Sequence, residues 1–122
     1  TTPQDIALLD ALKGIEMFAK VDIPVLGILE NMSVHQCDNC GHLSHLFGED
    51  GGKRVAEDLG VPLLGQLPLA MSIRQQADGG HPTVKAEPDS AISALYRDAA
   101  RNMAARLWGK QGSTPTISMV DD

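Results

Sequence analysis

The sequence predicts an α/β fold: the C-terminal part of a doubly wound, mostly parallel sheet with flanking helices. Three observations carry this. Two short apolar runs, "VLGIL" at 25–29 and "VPLLGQLPL" at 61–69, lack the alternation of a strand with one wet face. Such continuity marks strands covered on both sides, as in a parallel sheet. Segments with helical periodicity flank and separate them. Two strands alone make a poor sheet, because parallel strands need neighbours at their edges and helices on their faces. The other half of the domain is therefore expected upstream of Thr1 or on another chain.

The opening "TTPQDIALLDALKGIEMFAKV" reads as a helix. Thr2 suits the N-cap, Pro3 the first helical position, and Asp5 the first turn. Leu8, Leu12 and Ile15 form one apolar stripe, which Gly14 weakens in the middle. Pro24 stops the helix, and Val25 to Leu29 form the first strand. A loop at 31–48 follows. "GEDGGKRVAEDLG" gives a Gly-rich turn and a short helix around Val55, Ala56 and Leu59, with Gly60 closing it. The run at 61–69 is the second strand. "AMSIRQQADGG" is a helix ending at Gly79-Gly80, and "PDSAISALYRDAARNMAARLWGK" is the longest helix. Ser90 is its expected N-cap; Ile92, Leu95, Ala99, Met103 and Leu107 are its expected buried stripe. The folded part is expected over 1–110, with a loose, polar tail over 111–122.

Composition bounds the function. The 122 residues carry a net charge of −6, which argues against the basic surface that nucleic acid requires. Arg97, Arg101, Arg106 and Lys110 fall late in a helix, where cations suit its dipole. The opening residues show no basic-then-apolar leader, and no apolar run is long enough to span a bilayer. No membrane association and a cytoplasmic location are expected. There thiols stay reduced, and a Cys-x-x-C more often binds metal or runs redox chemistry than forms a structural disulfide.

The loop "NMSVHQCDNCGHLSHLFG" at 31–48 holds both cysteines, Cys37 and Cys40, and three of the four histidines. Four readings of this hook compete. A structural zinc site could add His42 or His45, but a fourth ligand is not obvious. A dithiol redox motif prefers a helix N-terminus, and "GHLSHLFG" is a poor helix start. A c-type haem needs histidine directly after the second cysteine, where Gly41 stands. An iron–sulfur cluster shared across a two-fold axis would gather four thiolates from two chains. Spacing alone does not rank this last reading above zinc.

Six segments resemble one family in the family's own order: "TTPQDIALLDA", "VLGILENMS", "CDNCGH", "FGEDGG", "LLGQLPL" and "IRQQADGGHPTV". They are similar to the Mrp/ApbC family, the P-loop iron–sulfur cluster carrier ATPases related to MinD and ParA, from Thr1 to about Trp108. The resemblance implies a P-loop NTPase sheet and a homodimer that binds ATP and Mg²⁺. It also implies a labile [4Fe–4S] cluster held between subunits and passed to apo iron–sulfur proteins. On that resemblance Cys37 and Cys40 are the cluster ligands. Asn31, closing the first strand, contacts adenine, for which an amide offers both donor and acceptor. Pro68 and Leu69 border the base, since ligands in such folds lie at the carboxyl ends of strands.

The chain departs from the family in one respect. It contains no G-x-x-x-x-G-K-[ST], so no catalytic residue for ATP hydrolysis is assigned. "GEDGGKR" is the nearest imitation, but Arg54 follows Lys53, and its glycines read as a turn that starts a helix. Hydrolase activity is expected of the intact parent and not of this chain alone. The remaining candidates have ordinary readings. His35, His42 and His45 are solvated loop histidines, Asp78 ends a helix, Trp108 is an anchor, and Met32 and Met103 fill packing gaps.

Overall fold

The computed structural model describes residues 1–109. Along the chain run α1 (Asp5–Lys20), β1 (Ile28–Glu30), β2 (His35–Gln36), β3 (Leu43–Ser44), α2 (Gly51–Asp58), β4 (Leu63–Gln66), α3 (Met71–Asp78), α4 (Thr83–Ala86) and α5 (Ala91–Gly109). β1 and β4 pair in parallel, as the unbroken apolar runs predict. β2 and β3 form a separate antiparallel hairpin. The expected tail at 111–122 lies outside the described residues.

The core sits where α1 and α2 cover one face of β1. Leu8, Ile28, Val55 and Ala56 are buried together, with Leu12, Ile15, Val61 and Leu63 packed against them. The stripe expected on the first helix is thus the one that packs. α2 ends as its sequence indicates, with Gly60 taking φ +64°, a conformation that costs a glycine little.

The start of α1 differs from expectation. Gln4, not Thr2, precedes the first helical residue, and no side chain caps the helix. The cause is Thr1. Its backbone nitrogen donates to Leu29 O at 2.9 Å, and its carbonyl accepts from Asn31 N at 2.7 Å. Thr1 is thereby tied to β1, and Gln4 keeps extended dihedrals outside the helix. The Thr2 hydroxyl meets Gln4 Oε1 at 3.0 Å instead of a helix amide.

β1 also begins later than its apolar run. Gly27 passes so close to β4 that a Cβ there would lie 2.6 Å from Pro62 O, and the register shifts between Ile28 and Leu29. Pairing then continues to Glu30.

At α5 the cap is as expected: Ser90 Oγ accepts from Ser93 N at 3.1 Å. The stripe is not. Ala99 is buried, but Leu95, Met103 and Leu107 are 42%, 49% and 54% exposed. α5 lies along β4, and the paired strands are too narrow to cover the whole length of a 19-residue helix. Leu29, Leu64 and Leu67 with Tyr96, Ala99 and Met103 line an open apolar cavity of about 250 Å³. Met103 therefore fills no gap, Met32 is exposed, and Trp108 stands 71% exposed instead of anchoring an edge.

Candidate metal centre and strand-end site

Cys37 and Cys40 occupy the turn of the β2–β3 hairpin. Cys37 N donates to His42 O at 2.9 Å, and Gly41 N donates to Cys37 O at 2.8 Å. Gly41 closes the turn at φ +72°, where a side chain would be strained. Both thiols are unpaired; Cys37 is half-buried and Cys40 exposed. The backbone N–H of Cys40 and then that of Asn39 aim at the Cys37 sulfur, with help from the Cys40 side chain. These donors hold the Cys37 thiol below the ordinary thiol range, against smaller opposing effects of desolvation and the Asp38 charge. The turn thus favours a thiolate, the form that ligates iron or zinc.

The histidines do not complete a site around this pair. His45 turns its Nδ1 to Ser33 O at 3.0 Å. Among the described residues no group of three or more His, Cys, Asp or Glu side chains gathers to hold a metal ion. Among the described residues the zinc reading therefore finds no ligand set.

The hairpin is rooted at the carboxyl ends of the parallel pair. Leu67 N donates to Glu30 O at 2.8 Å, Ser33 N to Leu67 O at 3.0 Å, and Leu69 N to Val34 O at 2.8 Å. His35 and Leu69 form an isolated parallel bridge. Asn31 follows Glu30 directly and is exposed, its Oδ1 accepting from Met32 N at 2.9 Å. Pro68 and Leu69 come directly after Leu67. The expected base-side residues thus gather at one strand-end edge. His35, Asp38, Leu69, Met71 and Arg74 line a shallow cavity of about 270 Å³ there, beside the cysteine turn.

Sequence reasoning missed Glu30. Its side chain is fully buried, with 0% exposure. Its carboxylate accepts from Gly52 N at 2.6 Å and from Gln66 Nε2 at 2.9 Å. The signal available was a charged residue closing an otherwise apolar buried strand, a position that demands a partner. That partner is the glycine pair whose spacing imitates a phosphate loop. The amide at the start of α2 is occupied by a carboxylate of its own chain. A Cβ on Gly52 would lie 2.9 Å from Glu30 Cβ, and one on Gly51 2.5 Å from Pro3 O. Close approach explains both glycines, and the reading of a turn that starts a helix stands.

Comparison with known proteins gives a consistent result. The chain is 62% identical over 100 residues to an iron–sulfur cluster carrier protein of Pseudomonas fragi, covering 82% of this chain and 35% of that protein. It is 56% identical over 108 residues to the iron–sulfur cluster carrier protein of Escherichia coli K12, covering 88% and 29%. Against the iron–sulfur cluster transfer protein NUBPL of Mus musculus it is 49% identical, covering 88% and 34%. The chain thus spans about a third of the length of these curated relatives. Among solved structures, the cell-division ATPase MinD of Pyrococcus furiosus matches with a TM-score of 0.66 at 25% identity, over 86% of this chain and 40% of that one. An ADP-bound nucleotide-binding protein of Archaeoglobus fulgidus matches with a TM-score of 0.56 at 31% identity, over 66% and 33%. The ParA family model described as NUBPL iron-transfer P-loop NTPase matches residues 1–104. On that match, this chain belongs to the NUBPL iron-transfer P-loop NTPase family.

Proposed function

We propose that this chain binds a labile [4Fe–4S] cluster as cargo and delivers it to apo iron–sulfur proteins, as the C-terminal portion of an ATP-binding carrier. The observation that carries this is the thiol pair at the hairpin turn, accessible and, among the described residues, without a third ligand. Two thiolates cannot satisfy a cluster that takes four. Two copies meeting across a two-fold axis supply the missing pair, so Cys37 and Cys40 act in a homodimer. A cluster held at an exposed turn by two thiolates from each side can be released, as a carrier requires. The reduced thiols suit a cytoplasmic setting.

Nucleotide binding is shared with residues outside this chain. The Walker lysine and the Mg²⁺-binding hydroxyl are not among these 122 residues. Asn31 fits adenine: it is exposed at the carboxyl end of β1, and its side-chain amide offers both donor and acceptor. Pro68 and Leu69 border the same edge.

Anaerobic reconstitution with iron and sulfide tests the reading. The expected product is a brown species holding about four irons per dimer. Cys37→Ser and Cys40→Ser should each abolish loading while leaving the far-ultraviolet circular dichroism unchanged. Loading that persists in both variants removes the ligand assignment. Tight, stoichiometric zinc in protein purified without oxygen favours a zinc-binding interaction fragment instead.

A further inference from the structure

His45 stands out from the other hairpin histidines. It lies just after β3, and its Nδ1 is 3.0 Å from Ser33 O, on the segment leading into β2. A carbonyl only accepts, so Nδ1 carries the proton and donates. The other ring nitrogen, Nε2, faces Glu49 at 3.7 Å. Both nitrogens are thus committed away from the thiols. Ser33 is buried, and its hydroxyl and its N–H each donate to Leu67 O at 3.0 Å. One residue therefore grips the end of β4 with two donors and receives His45 with its carbonyl.

The hairpin needs such a clasp. Its ladder consists of two residue pairs, His35 with Ser44 and Gln36 with Leu43. A hairpin this short does not hold its own geometry in water. The imidazole bridges the two legs at their open end, where backbone pairing has stopped.

We propose that His45 is a positioning residue for the thiol pair: its Nδ1–H clasps the root of the cysteine hairpin onto Ser33 and the β4 end, and so sets how firmly the cluster is retained. The proposal rests on the cysteines holding the cluster, and His45 ligates nothing in it.

Three variants of the full chain test this. Asparagine places its amide nitrogen where histidine has Nδ1, whereas glutamine reaches toward the Nε2 position. In metal-free protein, His45→Ala should speed amide exchange at Cys37 and Gly41 by roughly 2- to 10-fold, the worth of one hydrogen bond. Exchange at Ile28 and Leu67, in the parallel pair, should stay unchanged. In reconstituted protein the same variant should load a cluster with an unaltered absorption spectrum and lose it to an iron chelator faster by a similar factor. His45→Asn should restore both rates, and His45→Gln neither. Unchanged exchange in His45→Ala, or equal rescue by glutamine, overturns the clasp. A folded His45→Ala protein with an altered cluster spectrum, or one that cannot load, makes His45 a ligand and overturns it too. If wild-type protein loads no cluster, the carrier reading fails, and the exchange rates still decide the clasp.

Discussion

Glu30 and Cys37 show how single residues in this chain are tuned by backbone amides. The Glu30 carboxylate ties three elements together, since it closes β1 and binds the first turn of α2 and the side chain of Gln66 on β4. Removing it strands one buried donor and one half-buried donor, the buried one costing about 1–3 kcal/mol. Glu30→Ala should therefore destabilise the chain by about 2–4 kcal/mol in urea unfolding. Glu30→Gln should cost less, about 1 kcal/mol, because Gln66 can turn its amide oxygen toward the new donor. Equal losses in both variants would contradict the hydrogen-bond account. At Cys37 the sign follows from the donors: N–H groups aimed at sulfur favour thiolate, so the lowered pKa extends the thiolate to lower pH. The pH midpoint for iodoacetamide labelling of Cys37 should lie lower in the folded chain than in urea. A midpoint unmoved by urea would show that the turn does not tune this thiol.

At the scale of elements, two glycines in helices have opposite roles. Gly14 sits inside α1 with nothing within 4 Å of a Cβ built there, whereas Gly51 opens α2 against the Pro3 carbonyl at 2.5 Å. Gly14→Ala should stabilise the chain by about 0.5–1 kcal/mol through helix propensity. Gly51→Ala should destabilise it by about 1–3 kcal/mol, because backbone must move to admit the methyl. Thermal unfolding of the two variants checks both signs. Helix and strand identities were legible at this scale, since the stripe of Leu8, Leu12 and Ile15 and the run at 61–69 are periodic signals. The start of α1 was not, because Thr1, next to the expected cap Thr2, is held by a strand 28 residues further on. Nor was α4, a single turn of four residues with too little length for a periodic pattern.

For the whole molecule, the sheet is the limiting feature. α5 rests on β4 and, near its start, on α4, and Leu95, Met103, Leu107 and Trp108 stay exposed. Relatives about three times longer, and a MinD match covering 40% of that ATPase, fit two strands drawn from a wider sheet. These 122 residues hold no G-x-x-x-x-G-K-[ST]. The 122-residue chain should release phosphate from ATP at no more than the uncatalysed background, because it lacks the phosphate-binding lysine. A steady-state phosphate assay with Mg²⁺ checks this, and turnover abolished by Lys53→Ala would overturn it by making "GEDGGKR" a true phosphate loop. Of the candidate site, the residue types and their order were legible in the sequence: Asn31, the cysteine pair, and Pro68 with Leu69. Their gathering at one edge was inferred through the parallel pairing. The attachment of the hairpin and the engagement of His45 were not inferred.

The sequence by itself determined the alternation of helix and buried strand, the parallel sense of the sheet, the family motifs and the shortage of metal ligands. Each of these is written locally, in the period of apolar residues or in short spacings. Only the tertiary structure decided that Glu30 fills the start of α2, that Ser33 and His45 clasp the cysteine hairpin, and that the α5 stripe lies open. Those outcomes depend on partners remote in the chain: Gly52 lies 22 positions from Glu30, and Leu67 34 from Ser33. Periodicity reports which face of an element is apolar, but a buried polar group is satisfied by whichever distant donor the packing brings to it.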